Sequence, residues 1–108
     1  MNTMPATANN PERRKLWDAL MTAPDGTERQ AFAHFCLGQL DLVQRAIITR
    51  GEAAASITEV YLIDRFDDSD QMEEIMHAAL GLEVPANMNE QDWEKFVGLI
   101  NALATEAL

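Results

Sequence analysis

From Trp93 onward the apolar residues Trp93, Phe96, Val97, Ile100, Leu103 and Ala104 recur at the i, i+3, i+4, i+7 interval. That period gathers all six side chains on one stripe of a helix and scatters them over both faces of a strand. The stretch is therefore expected to form an amphipathic helix, about Glu90 to Ala107, capped by Asn89. Such a helix is stable only when its stripe is buried against other elements. The remaining chain must supply those elements, and its patterns are helical too.

Asn10-Pro11 reads as a helix start, because Asn caps and Pro is tolerated at the first helical position. A first helix, roughly Pro11 to Ala23, carries Leu16, Trp17, Leu20 and Met21 on one side. Arg13, Arg14 and Lys15 give it a basic start, which opposes the helix dipole. Pro24-Asp25-Gly26 is a turn signal. Thr27 and Gln30 have capping-box spacing, and the pattern that follows runs from Glu28 to Arg50 and stops at Gly51. Phe32, Phe35, Cys36, Leu42, Val43, Ala46 and Ile47 make one broad apolar face, extended round another side by Leu37, Leu40 and Ile48. A helix apolar over most of its circumference is central, with neighbours on several sides.

The segment Glu52 to Phe66 is the ambiguous one. Its alanines favour helix, and Ser56-Ile57-Thr58-Glu59 has the form of an internal capping box. Residues Ile57 to Ile63 also suit a short strand. Helix is preferred, since nothing else in the chain offers a strand to pair with it. A fourth helix, about Asp70 to Leu82, is capped from Asp67-Asp68-Ser69, has Ile75, Met76, Ala79 and Leu80 as its core face, and is bracketed by Gly81 and Pro85. The expected fold is an all-α, single-domain bundle of four or five helices around a long central helix. It spans residues 11–108, with residues 1–10 as a polar tail. Gly38 and Gly98 interrupt strong helix patterns, where Gly costs about 1 kcal/mol relative to Ala. Close approach of another helix, within the domain or across a dimer, is the expected reason.

Charge is divided unevenly along the chain. Residues 1–50 carry five acids and six bases, a formal +1; residues 51–108 carry thirteen acids and two bases, a formal −11. The densest run is Asp64 to Glu74, with six carboxylates (Asp64, Asp67, Asp68, Asp70, Glu73, Glu74) and a single base, Arg65. A net charge of −10 argues against direct contact with nucleic acid or an anionic membrane. No run of about 18 apolar residues suggests a membrane span. Met1 to Asn10 lacks the basic and apolar regions of a secretory leader. Cys36 is the single cysteine, so no internal disulfide forms, and a cytoplasmic location is expected.

Motifs for chemistry fail on spacing. An EF-hand loop starting at Asp64 would place Phe66 at position 3 and Ile75 at position 12; one starting at Asp68 would place Met72 at position 5 and Ala79 at position 12. Glu74-Ile75-Met76-His77 has Glu-x-x-His spacing, but a di-iron bundle needs two copies. His34 and Cys36 stand two apart on a helix and do not face each other. The five glycines are isolated, so no phosphate loop is present. Neither an enzyme activity nor a cofactor is expected. Asp70, Glu73, Glu74, Glu90, Asp92 and Glu94 also suit helix starts, where the dipole favours carboxylates.

Dipoles do not account for Asp64, Asp67 and Asp68, which add repulsion to a site poor in bases. The leading expectation is an acidic protein-interaction module, an inhibitor or nucleic-acid mimic. Asp64, Asp67, Asp68, Asp70, Glu73 and Glu74 would bind a basic surface on another protein, such as a nucleic-acid-binding protein. A second expectation is a self-associating adaptor or assembly factor, possible as a homodimer, that uses apolar helix faces. In it the basic start of the first helix pairs with the acidic half of its own or a second chain, and Trp17 and Trp93 are anchors. A third is a small metal-dependent enzyme, in which acids of the run meet Glu90 or Glu94 around Mg²⁺.

Overall fold

Asn10 Oδ1 accepts hydrogen bonds from the amides of Glu12 and Arg13, at 2.9 and 3.1 Å, and so opens helix α1 (Pro11–Met21). The computed structural model describes residues 10–63, 65–66 and 69–108. Four more helices follow: α2 (Glu28–Gln44), α3 (Arg50–Val60), α4 (Asp70–Leu82) and α5 (Glu90–Ala107), with a 3-10 turn at Pro85–Asn87. The described residues contain no strand, so the architecture is the expected all-α bundle. Helix α2 packs against α1, α3 and α5, while α4 packs against α3 and α5. Phe32, Phe35, Ile57, Phe66, Ile75, Phe96 and Ile100 lie in one buried cluster drawn from four of the helices and the α3–α4 connection. No helix among the described residues is long and apolar enough to cross a membrane.

Helices α4 and α5 have the bounds their sequence patterns indicate. Ser69 caps α4, and Asn89 Oδ1 caps α5 by accepting from the Asp92 amide at 2.9 Å. The central helix differs. It ends at Gln44 instead of Arg50, and at 17 residues it is shorter than α5, which has 18. Ala46 takes a left-handed conformation, φ 61°. The Ile47 amide donates to the Leu42 carbonyl at 2.9 Å and the Ala46 amide to the Val43 carbonyl at 3.0 Å. Those two bonds make a Schellman cap with Ala46 where Gly is usual. Helix α3 then opens on a reciprocal capping box: Thr49 Oγ1 accepts from the Glu52 amide, and a Glu52 carboxylate oxygen accepts from the Thr49 amide. Gly51 therefore lies inside the first turn of α3 rather than after a helix. The spacings at Thr27–Gln30 and Ser56–Glu59 are not used as boxes. Thr27 makes no side-chain cap, and α3 runs straight through Ser56 before giving way to turns after Val60.

An L-residue in the left-handed region is strained by about 1–2 kcal/mol, and glycine escapes that penalty. Ala46→Gly should therefore stabilise the protein by about 1 kcal/mol, part of the gain being offset by the greater freedom of glycine in the unfolded chain. Thermal denaturation checks this as a rise of several degrees. A lower melting temperature would mean that the cap is not formed in solution.

One residue of the basic start of α1, Arg13, is accommodated by long-range contacts. Arg13 is buried, and its guanidinium donates to Ser56 Oγ at 2.6 Å and to the Glu52 carbonyl at 3.2 Å. The Glu52 carboxylate stands 3.9 Å away. Of the three bases of this start, Arg13 thus reaches residues of the acidic half, while Arg14 stands 4.0 Å from Asp18 on its own helix. Trp17 and Trp93 are both buried, Trp17 edge-on to Phe35 and Trp93 beside Phe96. Gly38 has the close approach its sequence implied: a β-carbon there would stand 2.5 Å from the Leu16 side chain.

Candidate functional site

The connection from α3 to α4 is fixed from below by two adjacent residues. Phe66 is fully buried, 6.5 Å centroid to centroid from Phe32. Arg65 lies over the Phe66 ring and donates to the Ala23 carbonyl at 2.8 Å and to Glu28 Oε2 at 3.1 Å, with Asp25 at 3.6 Å. The one base of the acidic run is thus committed to the α1–α2 turn. Other arginines are committed elsewhere: Arg29 to Glu106, Arg45 to Glu12 and Asp41, Arg50 to Glu90.

Three of the six expected partner-binding acids, Asp64, Asp67 and Asp68, lie outside the described residues. The other three open α4. Asp70 and Glu74 are exposed and Glu73 is half-buried. Asp70 and Glu73 lie in the first turn, where the helix dipole favours a negative charge. Among the described residues none of the three has an ion pair. Glu90, one of the two α5 acids the metal reading named with Glu94, is bonded to Arg50 at 3.0 Å. Among the described residues no three His, Cys, Asp or Glu side chains are grouped so as to hold a metal ion. Cys36 is fully buried, and burial pushes its thiol well above the usual cysteine range. His34, by contrast, is exposed, so the two do not form a reactive pair.

The outer face of α4 continues the site in a way the sequence pattern obscured. Glu73, His77, Leu80 and Val84 stand at i, i+4, i+7 and i+11, and the helical turn is prolonged past Leu82 by bonds from Glu83 and Val84 to the Leu80 and Gly81 carbonyls. Leu80, expected in the core, is exposed; Met72 and Leu82 take the core positions. The side-chain angles separate these sets, because Leu80 falls roughly 100° from the centre of the stripe formed by Met72, Ile75, Met76, Ala79 and Leu82. His77 meets the end of α3, its Nε2 2.9 Å from the Tyr61 hydroxyl and the two rings edge to face. Leu62 follows Tyr61 and is exposed.

Two of the ion pairs, Glu28 with Arg65 and Glu90 with Arg50, have a pH signature. The Glu28 carboxyl is held below its ordinary value of 4.5, first by its own backbone amide and then by the Arg65 guanidinium. Glu90 is held below the same value by Arg50. A depressed folded-state value contributes stability that is present above 4.5 and is lost as pH falls through the folded value. The wild-type melting temperature should consequently drop further than that of the Glu28→Gln/Glu90→Gln double variant on acidification from pH 6 to about pH 3. Equal drops would show that these pairs do not persist in solution.

Comparison of the chain with protein-family models, curated proteins and solved structures returned no match.

Proposed function

We propose that this protein is a non-enzymatic interaction module that receives a basic surface of another protein on the acidic run ending in α4, acting as an inhibitor or nucleic-acid mimic. The supporting observation is the distribution of ion pairs. Arg65, the only base within the run, is bonded to Glu28 and the α1–α2 turn, and Asp70, Glu73 and Glu74 have no ion pair among the described residues. Carboxylates crowded without bases repel one another, and a cationic partner relieves that repulsion. The reading also assigns partner binding to Asp64, Asp67 and Asp68, which lie outside the described residues. The single reduced cysteine accords with a cytoplasmic setting.

Affinity capture with the tagged chain tests the proposal, at low and high salt and with DNA as competitor. The expected result is a nucleic-acid-binding protein released both by DNA and by salt, and not captured after Asp64, Asp67, Asp68 and Asp70 are all changed to Asn. Capture that survives both salt and these substitutions would sink it.

One observation favours the second reading, self-association. An added β-carbon at Gly98 would meet nothing within 4 Å, so this exposed mid-helix glycine has no packing role among the described residues. Its chain neighbour Val97 lines a groove of about 640 Å³ between α2 and α5, together with the half-buried Leu37, Leu40 and Val43. In a monomer, Gly98→Ala should stabilise α5 by about 1 kcal/mol and leave the mass unchanged. In a dimer packed on this face it should lower the association constant instead. Sedimentation and thermal denaturation of the same samples separate the two outcomes.

A further inference from the structure

Helices α1 and α2 touch closely where Leu16 meets Gly38, so closely that a β-carbon at Gly38 would stand 2.5 Å from the Leu16 side chain. Nearer the turn that joins the two helices, the residues on either side are Ala19, Ala23 and Ala31. Their short side chains leave a groove of about 540 Å³, floored by Leu16 and Phe35. Small-molecule sites hold about 300–1,000 Å³ and are lined mainly by apolar groups. The walls of this one are tied in place. Thr22 Oγ1 donates to the Asp18 carbonyl at 2.8 Å, Thr27 Oγ1 to the Pro24 carbonyl at 2.6 Å, and Arg65 to the Ala23 carbonyl at 2.8 Å. A groove formed before its ligand arrives spares the ordering cost of binding.

We infer that this groove binds an uncharged, largely apolar small molecule that carries one hydrogen-bonding group. Charge selects that class. Among the described residues no Asp, Glu, Lys or Arg lines the groove, although these types make up 24 % of the chain. By contrast, Asp41 and Arg50 line the groove between α2 and α5, and Asp92 and Lys95 the one between α4 and α5. A ligand charge sunk between apolar walls without a counter-charge is costly, and a net charge of −10 disfavours anions further. The polar end of the ligand is placed by Gln30 and His34. They stand one turn apart on the rim, both are exposed, and neither side chain makes a hydrogen bond among the described residues. Together they offer donors and acceptors to a hydroxyl or an amide. A protein partner suits the groove less well. None of the exposed large apolar side chains of the described residues lines it, and it is confined to the last turns of α1 and the first turns of α2, whereas a stable interface takes about 20–30 residues a side. This site is separate from the acidic run and does not depend on it.

The test titrates the isotope-labelled full chain with n-octanol and with octanoate, two probes with one tail and different heads, and follows the amide signals by NMR. Millimolar n-octanol should shift Ala19, Ala23, Ala31 and His34 and should bind at least tenfold more tightly than octanoate. Ala19→Leu fills the groove from an exposed position, so it should abolish those shifts and leave the melting temperature unchanged. Gln30→Ala/His34→Ala removes the polar rim, also at exposed positions, and should weaken n-octanol about fivefold, as the loss of a hydrogen bond would. Four results would each overturn the inference: no shift at these residues, shifts scattered over the other grooves, octanoate binding as tightly as n-octanol, or full binding by the Ala19→Leu variant. Concentration-dependent broadening of the same signals without any probe would assign the groove to a second copy of the chain, and would overturn it as well.

Discussion

Truncating Phe66 to alanine is expected to destabilise the protein by about 3–5 kcal/mol, the usual range for a buried Phe. Domains of this size are stable by about 5–15 kcal/mol, so the variant should be close to unfolding at physiological temperature. The reason is where the ring sits. Phe66 is in an irregular connection, yet it is fully buried against Phe32 of α2 and lies beneath the Arg65 guanidinium. Its removal leaves a hole between the connection and the central helix, and it also takes away the surface on which Arg65 is positioned to reach Glu28 and the Ala23 carbonyl. Leu62→Ala is the matched control. That residue is in the same connection but exposed, and its loss should fall within about 0.5 kcal/mol of the wild type. Denaturant titrations of the two variants decide the matter. A loss below about 1.5 kcal/mol for Phe66→Ala would mean that the connection does not help to close the core.

What could be read from the sequence follows from how local each signal is. Helix α5 was legible at both ends because Asn89 caps it and its buried residues Trp93, Phe96, Ile100 and Leu103 all lie on one stripe. The break between α2 and α3 was hidden because its cap uses Ala46, a residue that gives no sign of a left-handed turn, while Gly51, seven residues beyond the true helix end at Gln44, offered a false one. The usable cue was Thr49-x-x-Glu52, a capping box in plain view. Arg65 was counted with the acids beside it in sequence, but its partners are roughly forty residues earlier in the chain, and no local pattern encodes them. Buried Arg13 is the same case, with Ser56 supplied by α3. At the candidate site, the acids were visible as a run, but the exposure of Leu80 was not. Leu80 reads as one more core leucine until α3 and α5 are in place to define which side of α4 is covered.

Gln39 is where substitution should stabilise the protein most. Its side chain is fully buried on α2, and neither Oε1 nor Nε2 has a hydrogen-bond partner among the described residues. Each buried polar group left unsatisfied costs about 1–3 kcal/mol by mutational measures, since its bonds to water are given up without replacement. The backbone of α2 is in order around it, so the penalty belongs to the side chain alone. Gln39→Met keeps the length of the chain and removes both polar atoms. Gln39→Leu adds a branch and tests whether the site tolerates a different shape. The Met variant should gain about 1–3 kcal/mol, with a melting temperature higher by about 4 °C or more. Should it instead lose more than about 1 kcal/mol, the amide must be satisfied in solution, and the interior of the bundle beside α2 would be polar enough to hold a bound group. The sign of that one change therefore decides whether the centre of this fold is a closed apolar core or a second place where something binds.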